Sequence, residues 1–179
     1  MKILKFVDTD KSGVYSEFPA AAKKSLKDMF TESLRSMKWS ERELEYLLLK
    51  IKAVADNETM YKTIQQYISL SCTKLNRIEQ IFNVLNQTSN DKRNATIEGL
   101  IKEVEIATAK HLQGTVCDMT ILMMLQFISQ YKITHYSLLA SIAKTIGSVQ
   151  INTILYGIIE EEKIADDMIG EVINKITDI

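Results

Sequence analysis

The chain has 179 residues, of which 46% are hydrophobic, and its 22 Lys and Arg residues nearly balance its 23 Asp and Glu residues. This predicts one globular domain without the general electrostatic attraction to nucleic acid or to an anionic membrane that a strongly basic chain would have. One Pro and six Gly are too few to punctuate an all-β protein, so long helices are expected.

The sequence carries no signal for membrane insertion or secretion. No apolar run approaches the roughly 18 uncharged residues of a membrane span, and Asp8 interrupts the apolar N-terminus before a signal-peptide core could form. Cys72 and Cys117 alone make no disulfide framework. We therefore expect a cytoplasmic protein with neither a nucleic-acid nor a membrane partner.

Residues 1–20 are predicted to be an N-terminal extension and residues 21–179 a helical bundle. The extension contains Asp8-Thr-Asp10-Lys-Ser12-Gly13, which copies the first half of a calcium-binding EF-hand loop. Pro19 stands where the bidentate Glu of a complete loop belongs, and too few residues precede the loop to form an entering helix. The pattern is more typical of a turn, and a calcium-responsive module is the alternative.

Apolar residues recur every three or four positions in five segments, which is the pattern of amphipathic helices. The predicted helices are about 21–55, about 60–85 after a cap within 55–58, the short 95–113, about 115–146 and about 148–176. The polar stretch 86–94 is predicted to connect the second long helix to the short one. The sequence thus predicts an all-α four-helix bundle with one extra short crossover helix.

The segment 120–128 is apolar nearly all round its helix. Such a helix lies either in the centre of a core or against a second subunit. If the segment is simply part of the core, no ligand is needed to explain its apolar residues. More apolar residues crowd positions 119–128 than one helix side can bury, and large exposed apolar patches are uncommon on monomers. We therefore predict a homodimer, while any other protein partner is unknown.

Carboxylates interrupt the apolar seams of the first and last long helices. Glu41 lies on the first seam, and steps of three and four from Ile158 on the last seam reach Glu161 and Glu162. An inward carboxylate costs several kcal/mol unless it is paired, protonated or bound to a metal. The alternative is that residues 160–163 form a solvated face with one acid at its edge.

Six segments, in order and in spacing, carry a resemblance to a known family. They are Leu26-Lys-Asp-Met-Phe30, Trp39-Ser-Glu41-Arg-Glu-Leu44, Arg77-Ile-Glu-Gln-Ile-Phe82, Ile97-Glu-Gly-Leu-Ile-Lys-Glu103, Gly114-Thr-Val116 and Glu161-Glu-Lys-Ile-Ala-Asp166. Over about residues 26–175 the chain resembles the ferritin-like bundle proteins of the domain-of-unknown-function 892 (DUF892) family, the stress-associated bacterial proteins of the YciE and YciF type. The resemblance implies a ferritin-like bundle, often dimeric, whose standard members hold a dinuclear metal site of inward Glu and His residues.

The chain departs from this pattern on its two middle long helices. A His-Leu-x-Glu stretch of the relatives is replaced by Tyr67-Ile-Ser-Leu70, with a lysine one turn later, and their Glu-His-Tyr-Glu stretch is replaced by Ser129-Gln130-Tyr131-Lys132. The vestigial site candidates are Glu41, Glu161 and Glu162, with Tyr67, Lys74, Ser129, Gln130 and Lys132 at the replaced ligand positions. The resemblance therefore implies that the dinuclear site is lost.

The residues alone lead to the same expectation. A bundle di-iron site uses Glu-x-x-His pairs, but Thr108 and Lys132 stand three residues before the two histidines, His111 and His135. We expect His135 to pack near a helix surface. Without any recognised catalytic motif, the sequence predicts no metal or cofactor and a structural or stress-associated interaction protein. The alternative is an atypical di-iron or di-manganese oxidase, peroxidase or storage protein.

The replaced positions suggest what satisfies the inward acids. We predict that a lysine ammonium of Lys74 or Lys132, or the donors Ser129, Gln130 and Tyr67, hydrogen-bonds Glu41 and Glu161. The rival expectation is that both lysines extend their ammonium groups to solvent.

Overall fold

The computed structural model describes residues 19–55, 58–109 and 114–177, and these residues form five α-helices and no β-strand. The helices are α1 Ala20–Val54, α2 Glu58–Leu85, α3 Ala95–Ala109, α4 Thr115–Thr145 and α5 Val149–Thr177. The all-α prediction is confirmed, with helix bounds that differ from the predicted ones by a few residues. His111 and the half EF-hand motif at 8–13 lie outside the described residues.

The four long helices pack as a ring around a common core. α1 packs on α2, α2 on α5, α5 on α4, and α4 closes the ring against α1. The short α3 forms the connection between α2 and α4 and packs across α4 and α1. This is the predicted four-helix bundle with one crossover helix. Within the described ranges, no helix is both long enough and apolar enough to cross a membrane.

The bundle core consists of two apolar clusters with a polar layer between them. One cluster holds residues from the C-terminal half of α1, the N-terminal halves of α2 and α4, and the C-terminal half of α5. The other holds residues from the opposite half of each of these helices. Where the clusters meet, each long helix has a buried charged residue; these are Glu41, Lys74, Lys132 and Glu162.

Polar contacts fix the start of α3 and the connection that precedes it. The Asn94 side-chain carbonyl accepts hydrogen bonds from the backbone N–H groups of Thr96 and Ile97, at 3.1 and 3.3 Å, and so caps α3. Lys38 on α1 donates to the backbone oxygen of Ser89 at 2.7 Å. These contacts hold the 86–94 connection against α1.

Candidate functional site

The candidate site is the polar layer at mid-bundle, which we call the charge cluster. It consists of Glu41 on α1, Lys74 on α2, Lys132 on α4 and Glu162 on α5, with buried hydroxyl groups around them. All four charged side chains have an exposed fraction of 0%. Because four separate helices supply them, the cluster depends on the assembled bundle and not on any local motif.

Glu41 is fully engaged by side chains from α2 and α4. Its Oε2 atom accepts a hydrogen bond from Lys132 Nζ at 2.9 Å and one from Ser71 Oγ at 3.1 Å. Tyr136 OH donates to Oε1 at 2.8 Å, and Lys74 Nζ lies 3.9 Å from Oε2. The carboxylate is thus held by one close ammonium group and two hydroxyl donors.

Glu162 is held in the same way from the other side of the layer. Lys132 Nζ lies 2.9 Å from its Oε2 atom, and Lys74 Nζ donates a hydrogen bond to that same oxygen. Tyr67 OH donates to Oε1 at 2.9 Å and lies 2.8 Å from Ser129 Oγ. The Lys132 ammonium therefore bridges both carboxylates.

Burial and the neighbouring charges together control the protonation of the cluster. Burial lowers the pKa of Lys74, although the carboxylates of Glu41 and Glu162 oppose this shift. Burial alone would raise the pKa of Glu162, but the ammonium groups of Lys132 and Lys74 outweigh burial and lower its pKa to about 2. Burial would lower the pKa of Lys132, but the two carboxylates beside it raise that pKa well above its usual value. At neutral pH, Glu162 and Lys132 are therefore charged.

Two buried tyrosines act as neutral donors to this charged layer. Burial, together with the neighbouring carboxylates, raises the pKa of both Tyr67 and Tyr136 well above the usual value for tyrosine. The ring of Tyr67 also lies beside both ammonium groups, with Lys74 Nζ 5.1 Å and Lys132 Nζ 5.6 Å from its centroid. These distances fall within the range of cation–π attraction.

The structure places most of the predicted residues together but corrects two of them. Glu162, not Glu161, is the inward carboxylate of α5; Glu161 instead contacts Arg77 on α2, with Arg77 Nε at 3.0 Å and Nη2 at 2.9 Å from its Oε1. The prediction for Gln130 is also wrong, because its side-chain amide donates to Asp166 on the exposed side of the α4–α5 contact. Each misplaced residue neighbours a buried one in sequence, about 100° away around its helix.

The rival expectation that the lysines reach solvent is wrong, because Lys74 and Lys132 are both fully buried. Sequence reasoning also missed Ser71 and Tyr136. The helical spacing carried the signal: Ser71 lies three residues before Lys74, and Tyr136 lies four residues after Lys132. A search of the same helix face would have found both.

His135 lies apart from the cluster. Its ring centroid is 5.6 Å from that of Tyr131, and burial lowers its pKa. Its Nε2 atom is buried and has no hydrogen-bond partner among the described residues.

The donor set of the charge cluster does not fit a divalent metal ion. An ammonium group has no lone pair to offer a metal, and the two in this layer lie where they engage the carboxylate oxygens of both glutamates. Within the described ranges, no group of three or more His, Cys, Asp or Glu side chains is arranged to hold an ion. The arrangement can hold the four helices in register.

Comparisons with known proteins agree with the helical bundle described above. A family model with the description "Domain of unknown function (DUF892)" matches residues 25–179. The chain is 26% identical over 147 residues to protein YciF of Escherichia coli strain K12, covering 80% of this chain and 87% of YciF.

Solved structures agree with that match. The structure of the E. coli stress protein YciF is similar with a TM-score of 0.82 and 22% identity, covering 87% of this chain and 98% of that one. Dps from Thermosynechococcus elongatus is similar with a TM-score of 0.65 and 11% identity, covering 84% and 94%. The bundle is therefore ferritin-like.

Proposed function

The chain belongs to the family described as domain of unknown function 892 (DUF892), and on that premise we propose that it is a bundle protein that works without a dinuclear metal centre. Its proposed role is structural or that of a stress-associated interaction protein, and not that of an enzyme. The observation that supports this best is the position of the Lys74 and Lys132 ammonium groups beside the carboxylates of Glu41 and Glu162.

Charge balance argues against a metal pair in this layer. The two carboxylates and two ammonium groups sum to zero, whereas each divalent cation would add two positive charges to a fully buried site. Uncompensated charge in a protein interior costs several kcal/mol. A metal ion could therefore enter only if the lysines left the layer or lost their protons.

The biological setting is proposed by analogy with the relative. YciF of E. coli is described as a stress protein. We extend that association to this chain and place it in the cytoplasm. Its two cysteines, Cys72 and Cys117, are free in the structure, which fits a reducing compartment.

Metal content is the direct test. The purified protein is incubated with Fe(II) or Mn(II) without oxygen, passed through gel filtration, and analysed for bound metal and for its melting temperature. We expect no iron or manganese above the buffer background and no shift in melting temperature, because a ligand that binds only the folded state would raise it. Retention of one or two ions per chain would refute the proposal and favour the di-metal oxidase, peroxidase or storage alternative.

A matched variant shows that the assay can detect a bound metal. Lys74→Glu combined with Lys132→Glu turns the cluster into four carboxylates without changing the helices that supply them. Such a set is suited to a divalent cation. We expect this variant to retain metal and to melt at a higher temperature with metal than without it.

A further inference from the structure

Charge is distributed unevenly along the bundle, and one of its two ends carries almost no acid. This end, which we call the lysine end, is formed by the starts of α1 and α5 and by the ends of α2 and α4. Side chains from all four segments pack on one apolar cluster, among them Leu26, Val84, Ile146 and Ile154. Residues 80–90 contain no charged side chain, and residues 136–159 contain only Lys144, which is exposed.

The start of α1 adds three more cations to this end. No residue of 21–29 is buried, and its exposed side chains include those of Lys23, Lys24 and Lys27. Asp28 is the one acid in the first ten residues of the helix. The next acid along α1, Glu32, already pairs with Arg35 and Lys92. Four lysines and one aspartate therefore give the lysine end a net charge of +3.

Exposed apolar side chains lie at the same end. Gly147, with a φ of 82°, allows the tight turn between α4 and α5, and Val149 follows it as the first residue of α5. Val149 is 79% exposed, the highest value among the large hydrophobic side chains of the described residues, and Met29 on α1 is 47% exposed. Single exposed apolar residues are common on protein surfaces. Beside four lysines and a single acid, however, they fit a partner that offers both negative charge and an apolar interior.

We infer that the lysine end docks on the surface of an anionic lipid bilayer, with its lysines at the headgroup phosphates and with Met29 and Val149 at the boundary of the acyl chains. Clustered lysines near a bilayer are attracted by anionic headgroups, and apolar side chains leave water when they enter this boundary. The two kinds of contact add to each other because they lie at one end of the same bundle.

The charge of the remaining chain sets the orientation. The whole chain has a net charge of −1, so the residues outside the lysine end, with its +3, sum to −4. An anionic surface therefore attracts this end and repels the rest, so the bundle would stand end-on. The balanced composition, from which the sequence predicts no membrane partner, averages over these two unlike parts.

A bilayer fits this end better than another polyanion does. The phosphates of a nucleic acid could pair with the four lysines, but they would leave the exposed side chains of Met29 and Val149 in water. Anionic lipids are concentrated in the cytoplasmic leaflet of cell membranes, which a cytoplasmic protein can reach. The inference goes beyond the proposed function and does not depend on whether the charge cluster binds metal.

Sedimentation with lipid vesicles tests the docking. The purified protein is mixed with vesicles of phosphatidylcholine alone, or of phosphatidylcholine with about one third phosphatidylglycerol, and the bound fraction is measured at low and at high salt. We expect binding to the anionic vesicles only, and weaker binding at high salt. No binding to the anionic vesicles, or equal binding to both kinds, would overturn the inference.

Two triple variants separate the lysine end from net charge. Replacing the three lysines at the start of α1 with glutamine should weaken binding about a hundredfold, at about fivefold per lysine. The matched control replaces three exposed lysines from the half of the bundle that holds the other apolar cluster, namely Lys62, Lys102 and Lys175. Both variants change the net charge from −1 to −4, and both should keep their helical circular dichroism. An equal loss of binding in both would overturn the inference.

Val149→Ser separates a bilayer from a nucleic acid. Loss of the apolar side chain should weaken vesicle binding about tenfold and leave its salt dependence unchanged. A short DNA duplex is the second probe, and we expect it to bind more weakly than the anionic vesicles. Unchanged vesicle binding by Val149→Ser, or tighter binding to the duplex than to the vesicles, would contradict the assignment.

Discussion

Replacing Lys132 with methionine tests the charge cluster most directly. Methionine is unbranched and of similar length, so Lys132→Met removes the charge with little change in volume. The substitution deletes the ammonium group that lies 2.9 Å from each carboxylate. Lys74 would remain as the single cation, hydrogen-bonded to Glu162 and 3.9 Å from the Glu41 carboxylate. The buried layer would then carry a net negative charge.

The expected loss can be worked out in two ways. Removing one partner from a buried ion pair costs roughly 3–5 kcal/mol. As a second guide, the ammonium groups of Lys132 and Lys74 together lower the pKa of Glu162 from 4.5 to about 2; at 1.36 kcal/mol per pKa unit this corresponds to about 3 kcal/mol of stability, of which removing Lys132 takes away its share. For a domain of this size a loss of about 3 kcal/mol lowers the melting temperature by about 10 °C.

The measurement is urea unfolding at pH 7, followed by circular dichroism. Lys163→Met is the matched control, because Lys163 pairs with Glu160 at the surface and its side chain is 51% exposed. Exposed pairs generally contribute little. Adding Glu41→Gln to Lys132→Met restores a neutral layer and should recover part of the loss. The reasoning is refuted if Lys132→Met destabilises the protein no more than Lys163→Met does.

Three further predictions concern pH and local structure. Because the folded-state pKa of Glu162 is depressed, its contribution to stability is present above pH 4.5 and is lost as the pH falls towards 2. The free energy of unfolding, measured across this pH range, should fall by about 3 kcal/mol from this group. The Glu162→Gln, Lys74→Met double variant, whose cluster also has no net charge, should lack this fall. At Gly157 a Cβ would lie 3.0 Å from the Arg77 guanidinium. In urea unfolding, Gly157→Ala should therefore gain its full helix propensity of about 1 kcal/mol only in an Arg77→Ala background. An equal gain in the wild-type background would contradict this prediction. Asn94→Ala removes the α3 cap and should cost about 1 kcal/mol in the same assay, whereas an unchanged midpoint would show that the cap is dispensable.

The helices could be predicted because the information for them is local. Apolar residues at three- and four-residue spacing define each buried face, and glycines with positive φ, Gly114 at 68° and Gly147 at 82°, mark the breaks before α4 and after it. These signals need no knowledge of the neighbouring helices. The count of four long helices and one short helix in a connection indicated the bundle architecture.

The exact contacts of the charge cluster could not be predicted because they depend on partners from other helices. Glu161 and Glu162 both lie at a seam step from Ile158, and the sequence cannot show that Arg77 on α2 reaches Glu161 at the edge of the bundle. Tyr136 was missed because the sequence pattern indicates only that it is an ordinary core residue. The structure is needed to show that its hydroxyl lies beside the carboxylate of Glu41. One-residue differences around a helix therefore separate a core position from a surface one.

The placement of the two lysines explains how this bundle can keep its inward acids. Glu41 and Glu162 come from α1 and α5, and the compensating Lys74 and Lys132 come from α2 and α4, the two helices on which the family resemblance puts the replaced ligands. The stability of a protein whose interior is neutralised by metal depends on metal concentration, because the bound ion contributes to folding. Under the proposal made above, covalently attached ammonium groups supply the positive charge instead. Folding is then independent of metal supply.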